Sequence, residues 1–175
     1  KLISEMHLKN KTYQVRIFFG AETKTQDIEG RYIKYQNPSH SKDKRLEILK
    51  KFIGTYQQKI PIFSAHKIKG KNFYELARKE EDQEDKYKQV NIDSLKILKQ
   101  SNNYLDVNIE CETGFYVRSF AEEFSKSLGD MGMAMNIIRT KIGDFNLSDS
   151  LDFENILDFS HINDLDSRII TIYSG

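Results

Sequence analysis

Between residues 12 and 19 the chain alternates, with Tyr13, Val15, Ile17 and Phe19 on one side and Gln14, Arg16 and Phe18 on the other. A period of two predicts a half-buried strand, which Gly20 ends. Ala21 to Gly30 reads as a loop rich in Thr and acidic residues, and Arg31 to Tyr35 as the start of another strand. After the turn signal Asn37-Pro38-Ser39 the period changes. Leu46, Leu49, Phe52 and Ile53 recur at helical spacing, with a cap near Ser41 or Asp43 and a stop at Gly54. The stretch that follows reads as a loop, then as one or two helical turns over Phe73 to Arg78, then as a solvated charge run from Lys79 to Lys88.

Two further strands are expected at Val90 to Leu98 and Tyr104 to Cys111; in the second, Leu105, Val107, Ile109 and Cys111 alternate with Asp106, Asn108 and Glu110. Val117, Phe120, Ala121, Phe124 and Leu128 mark one face of a helix that Gly129 closes. Ser150, with Asp152 and Glu154 in the first turn, reads as the start of a C-terminal helix, and residues 168 to 173 as a final strand. No internal repeat interrupts this order. The expected class is α+β with one core: a mainly antiparallel, mixed sheet with helices packed on it.

Composition narrows the setting. The 175 residues suffice for a core of their own, and one cysteine, Cys111, excludes an internal disulfide and points to the reducing cytoplasm. No run approaches the roughly 18 apolar residues of a membrane span. The start, Lys1 to Glu5, shows neither a signal segment nor an initiator Met, so the chain is expected to begin inside a longer protein. Lys and Arg, 27 together, nearly balance 26 Asp and Glu, and net charge therefore says nothing of nucleic acid. Distribution says more. Lys59, Lys67, Lys69, Lys71, Arg78 and Lys79 meet only Glu75 between positions 59 and 79, whereas positions 144 to 166 carry seven carboxylates and no Lys or Arg. Such asymmetry suits one face that meets a polyanion and another that avoids it.

The scattered His7, His40, His66 and His161 have no ligand spacing, so no metal site is expected, and no Gly-rich phosphate loop follows a strand. Four ordered stretches carry the chemistry instead. The first is Lys11-Thr12-Tyr13 followed by Gly20, Thr23, Thr25, Asp27 and Gly30; the second runs from Gly54 through Gln58, Pro61, Phe63-Ser64-Ala65, Lys67, Gly70 and Tyr74 to Ala77-Arg78. Cys111 to Arg118 is the third, and Ile137 to Phe145 the fourth.

Together these resemble the TruB-type tRNA pseudouridine synthases, over roughly residues 11 to 145. The family's Lys-x-Tyr, Thr-Asp-Thr-x-Asp-x-x-Gly, Pro-Pro-x-Tyr-Ser-Ala, Gly-Thr-Tyr-Ile-Arg and Leu-Arg-Arg-Thr-Arg-Val-Gly-Pro-Phe patterns have counterparts here. Ile60, Phe63 and Ile138 depart from them, standing where the family has proline, tyrosine and arginine. One pattern is missing: the Gly-x-x-Gly-x-Leu-Asp segment with the catalytic aspartate should precede Lys11, and Lys1 to Asn10 does not contain it.

The resemblance implies a partial pseudouridine-synthase-like catalytic domain over 1–175, with a basic thumb-like RNA-binding loop around 57–80 and no C-terminal RNA-binding domain. It implies cofactor-free isomerisation of the T-loop uridine of tRNA, in a monomeric parent whose aspartate lies upstream, so that this chain alone is inactive. Tyr116 would stack under the target base or handle a ribose proton, and Arg118 would pair with the aspartate, leaving it without that partner here. Tyr13 would stack on the flipped uridine, which must leave the RNA fold before its glycosidic bond is reachable, and Ile137 would wall the base. His66, Lys67, Lys69, Lys71 and Arg78 would meet the tRNA T stem-loop, Lys and Arg at phosphates, which fix position rather than sequence. Read for packing alone, Tyr13 and Ile137 are core, Tyr116 a half-buried tyrosine and Arg118 a helix-surface arginine. Asp27 is kept out of the catalytic set as a loop residue. The competing function is a non-catalytic RNA-binding or tRNA-folding module.

Overall fold

A computed structural model of the chain describes residues 6, 8–61, 67–68, 71–72 and 85–150. The chain divides into two compact units, Lys1–Asp144 and Phe145–Gly175. In the first, β1 (Lys11–Phe19), β2 (Ala21–Thr23) and β3 (Tyr32–Tyr35) lead to helix α1 (Lys42–Lys50) and β4 (Gly54–Lys59). A small antiparallel pair follows, β5 (Lys67–Ile68) with β6 (Lys71–Asn72). Then come β7 (Tyr87–Gln100), β8 (Tyr104–Cys111), helix α2 (Val117–Ser127) and β9 (Gly132–Ile142). The second unit contributes β10 (Phe145–Asn146) and a 3-10 turn, Leu147–Asp149.

Five strands of the first unit form an antiparallel sheet in the order β9-β1-β8-β7-β4. The expected α+β class, with a large antiparallel sheet and packed helices, is the observed one. Alternation in β1 and β8 puts Val15, Ile17 and Phe19 beside Leu105, Val107, Ile109 and Cys111 on the face that the helices cover. There Phe120, Ala121 and Phe124 of α2 close the core, and Phe52 packs edge-on to Phe120 and Tyr56, each at 5.4 Å between ring centres. Each fully buried phenylalanine contributes roughly 1.5–3 kcal/mol by leaving water. Gly129 ends α2 at φ +80°, a backbone state that costs a side-chain-bearing residue but not glycine. Cys111 is buried and unpaired, and burial pushes its thiol up to about 12, which leaves it unreactive at neutral pH.

Several expectations change. The stretch Ala21 to Gly30 is not all loop, because Ala21–Thr23 pairs with β3. Helix α1 begins after Ser41 as expected, but it buries Arg45, Ile48 and Leu49, whereas Leu46 is 53% exposed and Ile53 also lies open. The reason is the Arg45 side chain, whose hydrogen bonds turn the helix so that a charged residue faces inward. Gly54 does not follow a helix directly but opens β4, so that the basic stretch expected as loop from position 57 starts as strand and contains the β5–β6 pair. β7 begins at Tyr87, inside the expected charge excursion. β9 was not expected from the pattern at all. The helical turns expected over Phe73 to Arg78, the C-terminal helix beyond Ser150 and the strand over 168 to 173 lie outside the described residues. No helix among the described residues is long and apolar enough to cross a membrane.

Candidate active site

Asp27 is delivered by a short loop folded largely on itself. The Thr23 hydroxyl donates to the Asp27 carbonyl at 2.6 Å, the Thr25 hydroxyl to the Asp27 carboxylate at 2.5 Å, and the Gly30 amide to the Asp27 carbonyl at 3.2 Å. Gly30 has to be glycine, since a Cβ there would stand 2.1 Å from the Thr25 hydroxyl. The loop is also fastened to β9: the Ala134 amide donates to the Gln26 carbonyl at 3.0 Å and the Ile28 amide to the Ala134 carbonyl at 3.1 Å. Gln26 sits at φ +66°, an unusual state for a side-chain-bearing residue, and its side-chain amide donates to Glu122 of α2. A strained residue held from two sides is a frequent mark of a functional loop.

Against this loop stands Arg118, second residue of α2, whose Nη1 donates to the Asp27 carboxylate at 3.1 Å and to the Thr25 carbonyl at 3.3 Å. Asp27, a carboxylate that the sequence did not assign to Arg118, thus occupies one side of the guanidinium. The two side chains are 27% and 20% exposed, so their attraction is only partly screened by water. They open into a cleft of about 360 Å³ walled by Ile28, Ala134, Met135 and Ile137, with Glu29 and Asn136 at its polar edge. Arg118 and Ile137 are thus brought together. Ile137 is 40% exposed and not the core residue that its apolar neighbours allow.

Tyr13 and Tyr116 stand outside that lining. Tyr13 lies opposite Ile109 of β8 and Arg139 of β9 and packs on the core; burial pushes its phenol up, opposed by the Arg139 guanidinium. Tyr116 is the residue before α2, two positions from Arg118, with the Lys88 ammonium 5.6 Å from its ring centre, within cation–π range. Its backbone is gripped by Gln58 of β4, a residue of the second sequence stretch to which the sequence assigned no role. His66, Lys69 and Arg78 lie outside the described residues; Lys67 and Lys71 belong to the β5–β6 pair.

One carboxyl of α2, outside that cleft, is pushed far from its ordinary range. Glu123 of α2 accepts the Lys59 amide at 2.8 Å, yet burial pushes it up to about 7, a shift that the Lys59 hydrogen bond opposes and the neighbouring Glu122 reinforces. A raised folded-state value means that the fold prefers the protonated form. Its stabilising contribution is complete below about pH 4 and is lost as pH rises through about 7. Glu123→Gln keeps the acceptor oxygen and removes this titration. Relative to the parent, the variant is expected to gain about 1–2 kcal/mol between pH 4.5 and 8.5, a figure discounted for partial exposure. Urea unfolding at the two pH values measures it, and parallel pH dependence in both proteins would refute it.

Comparison with known proteins bears on all of this. A model described as TruB family pseudouridylate synthase (N terminal domain) matches residues 1–117. The tRNA pseudouridine synthase B of Parabacteroides distasonis is 36% identical over 165 residues, 93% of this chain and 70% of that protein. Those of Alkaliphilus oremlandii and Mycoplasma mobile are 31% and 35% identical over 89% and 95% of this chain; it spans 52% and 58% of their length. Among solved structures, a Cbf5-Nop10-Gar1 complex superposes with a TM-score of 0.66 at 16% identity, over 95% of this chain and 41% of that one. An H/ACA RNP bound to a substrate RNA containing 2'-deoxyuridine gives 0.62 at 13%, over 95% and 39%. At such identities the likeness speaks to fold alone.

Proposed function

We propose, for a chain that belongs to the TruB family of pseudouridylate synthases, that the protein carrying it isomerises the T-loop uridine of tRNA to pseudouridine. The observation that supports this best is the Arg118–Asp27 pair, which lines a cleft together with Ile28, Met135 and Ile137. Detaching uracil from its ribose and reattaching it through carbon needs a carboxylate kept ionised and aimed at the sugar. An arginine fork does both, by favouring the charged form and by fixing its direction. In this reading Arg118 bridges Asp27 and the catalytic aspartate, which five N–H donors in one plane allow. Asp27 holds the guanidinium in place and is not itself the nucleophile.

The nucleophile belongs to the Leu-Asp segment for which these 175 residues have no counterpart, and we place it ahead of Lys1. Ile28, Met135 and Ile137 offer the flipped uracil an apolar wall, Tyr13 a stacking partner, and Tyr116 a phenol near the ribose. His66, Lys67, Lys69, Lys71 and Arg78 of the 57–80 segment take phosphates of the T stem-loop. Such contacts make affinity depend on salt while loop shape supplies the choice of RNA. The reaction uses no cofactor and no metal, and the protein works as a monomer in the cytoplasm, the compartment that keeps Cys111 a thiol.

The test sets the full-length protein beside the Lys1–Gly175 chain on a T stem-loop RNA. Conversion of the loop uridine by the first, with binding but no turnover by the second, is the expected result. If the full-length protein binds the RNA and leaves every uridine unchanged, the protein is a non-catalytic RNA-binding or RNA-folding module instead.

A further inference from the structure

We propose that Gln58 is a positioning residue that locks the head of α2, and with it Tyr116 and Arg118, to the strand from which the basic 57–80 segment departs; this rests on the roles proposed above for those two residues.

Strand β4 is polar throughout, Gly-Thr-Tyr-Gln-Gln-Lys, and yet Gln58 is 0% exposed. A buried carboxamide needs partners for one acceptor and two donors. Gln58 finds all three: Oε1 accepts the Tyr116 amide at 2.8 Å, and Nε2 donates to the Tyr116 carbonyl at 3.0 Å and to the Tyr56 hydroxyl at 2.9 Å. One side chain therefore takes the N–H and the C=O of a single residue, as a neighbouring strand would. That residue begins α2: the Tyr116 carbonyl accepts the first helical bond, from the Phe120 amide at 3.0 Å, and no side chain caps the helix there. An N-terminal cap of the usual Ser or Asp kind is absent, and the start of α2 is specified from β4 instead.

The next residue of β4 repeats the grip further along. The Lys59 amide donates to Glu123, seven residues on from Tyr116, at 2.8 Å. Adjacent residues of one strand thus hold α2 at its first turn and two turns later. Among the described residues β4 pairs with β7 on one side only, and these side-chain bonds join its end to the helix. Immediately beyond, the Ile60 amide donates to the Lys86 carbonyl at 2.8 Å, which extends the pairing of this strand by one residue. Gln58 thus sets the backbone of Tyr116, and through it the alignment of the reacting groups.

Three substitutions in the full-length protein test this. Gln58→Met conserves volume and removes all three bonds; Gln58→Glu keeps the acceptor and removes both donors; Thr55→Ala, exposed on the same strand and outside the 57–80 segment, is the control. Single-turnover rate, Kd for the T stem-loop and hydrogen exchange at the Tyr116 amide are read for each, well below each variant's Tm. The expected result for Gln58→Met is a rate lower by about 10- to 100-fold, since small misplacements of reacting groups cost that much. Kd stays within about 3-fold of the parent's, as for a loss of alignment rather than of binding, and exchange at Tyr116 speeds up. Gln58→Glu, which turns an oxygen toward the Tyr116 carbonyl, loses at least as much. If neither variant folds, exchange at the Tyr116 amide of the unsubstituted protein decides: exchange as fast as in an unstructured peptide overturns the clamp.

A rate within about 2-fold of the parent's while Tyr116 exchanges faster overturns the proposal, as does a rate that returns to the parent's once the assay is cooled. An unsubstituted protein without turnover overturns the functional reading instead, and the exchange at Tyr116 then decides whether the clamp exists.

Discussion

Arg45→Ala is expected to cost the fold about 3–5 kcal/mol, since each buried acceptor left without its donor costs about 1–3 kcal/mol. Arg45 is completely buried on α1 and its guanidinium serves three carbonyls of the turn between β7 and β8: Ser101 at 2.6 Å, Asn102 at 2.8 Å and Tyr104 at 3.2 Å. Its Nε donates to His40 Nε2 at 2.9 Å, and His40 Nδ1 donates to Asp130 at 2.8 Å. That arrangement fixes the tautomer of His40, for Nε2 must carry a lone pair to accept from Arg45. Phe19 packs under both, 4.5 Å from the guanidinium carbon and 4.5 Å from the imidazole centre.

At the far end Asp130 also accepts the Ser39 and Met131 amides and the Gln36 side chain. Burial alone would raise the Asp130 carboxyl, but these hydrogen bonds, that of His40 foremost, outweigh it and hold it below the usual carboxylate range. A lowered folded-state value stabilises at neutral pH, and that contribution is lost only as pH falls through it, below the range in which ordinary carboxylates protonate. Every group in it is satisfied, and for that reason removing one member strands the others. The lost volume adds a cavity beside Phe19. Since total stabilities are about 5–15 kcal/mol, unfolding in urea will show the loss plainly. Lys50→Ala on the exposed side of α1 should stay within about 0.5 kcal/mol. A loss below 1 kcal/mol for Arg45→Ala would mean that water replaces the guanidinium at all three carbonyls.

This network also marks where sequence patterns stop being informative. The strands β1 and β8 and the helix α2 were legible because hydrophobic burial alone decides them, and Val15, Ile17, Leu105, Val107, Phe120 and Phe124 lie where the periods of 2 and 3.6 put them. Helix α1 was legible as a helix but not in its orientation, since its inward face is set by the hydrogen bonds of an arginine, which no hydrophobic period records. Strand β4 escaped for the same reason: it is made of polar residues and is held by β7 and by the carboxamide of Gln58. In β9 only Gly132, Met133 and Ala134 are buried while Met135 to Arg139 lie exposed, so there is no alternation to read.

The candidate site divides in the same way. Arg118 and Ile137 were named through a resemblance to family motifs, and both line the cleft. Asp27 is kept out of the catalytic set because the resemblance puts it in a loop after the first strand and not at the nucleophile position. What makes that stretch rigid is a set of side-chain-to-backbone bonds from Thr23 and Thr25. Thr and Asp two residues apart is a signal that such a turn leaves in the sequence, but it says nothing of which arginine the carboxylate will meet.

Substitution of that arginine carries the largest effect expected on the reaction. Arg118→Ala in the full-length protein should lower the single-turnover rate on a T stem-loop by about 10²–10³-fold, the scale on which a lost electrostatic contact to the reacting groups is felt. Arg118→Lys should recover little, because a point charge on a flexible stem cannot face Asp27, the Thr25 carbonyl and a third oxygen in one plane. Asp27→Asn separates the two roles in the pair. It preserves shape and the hydrogen bond from Thr25 to the side-chain oxygen but removes the charge that anchors the guanidinium. A loss of about 10-fold, smaller than for Arg118→Ala, is the outcome for an orienting group that does not itself touch the sugar. Should Asp27→Asn abolish turnover while Arg118→Ala is mild, the order of the pair is inverted: the carboxylate of Asp27 would be the reacting group and the Leu-Asp segment dispensable. Loss of RNA affinity in both variants with unchanged rates at saturation would move the pair from catalysis to docking. The ratio of the two rates therefore tests whether the arginine or the aspartate stands nearer the bond that breaks.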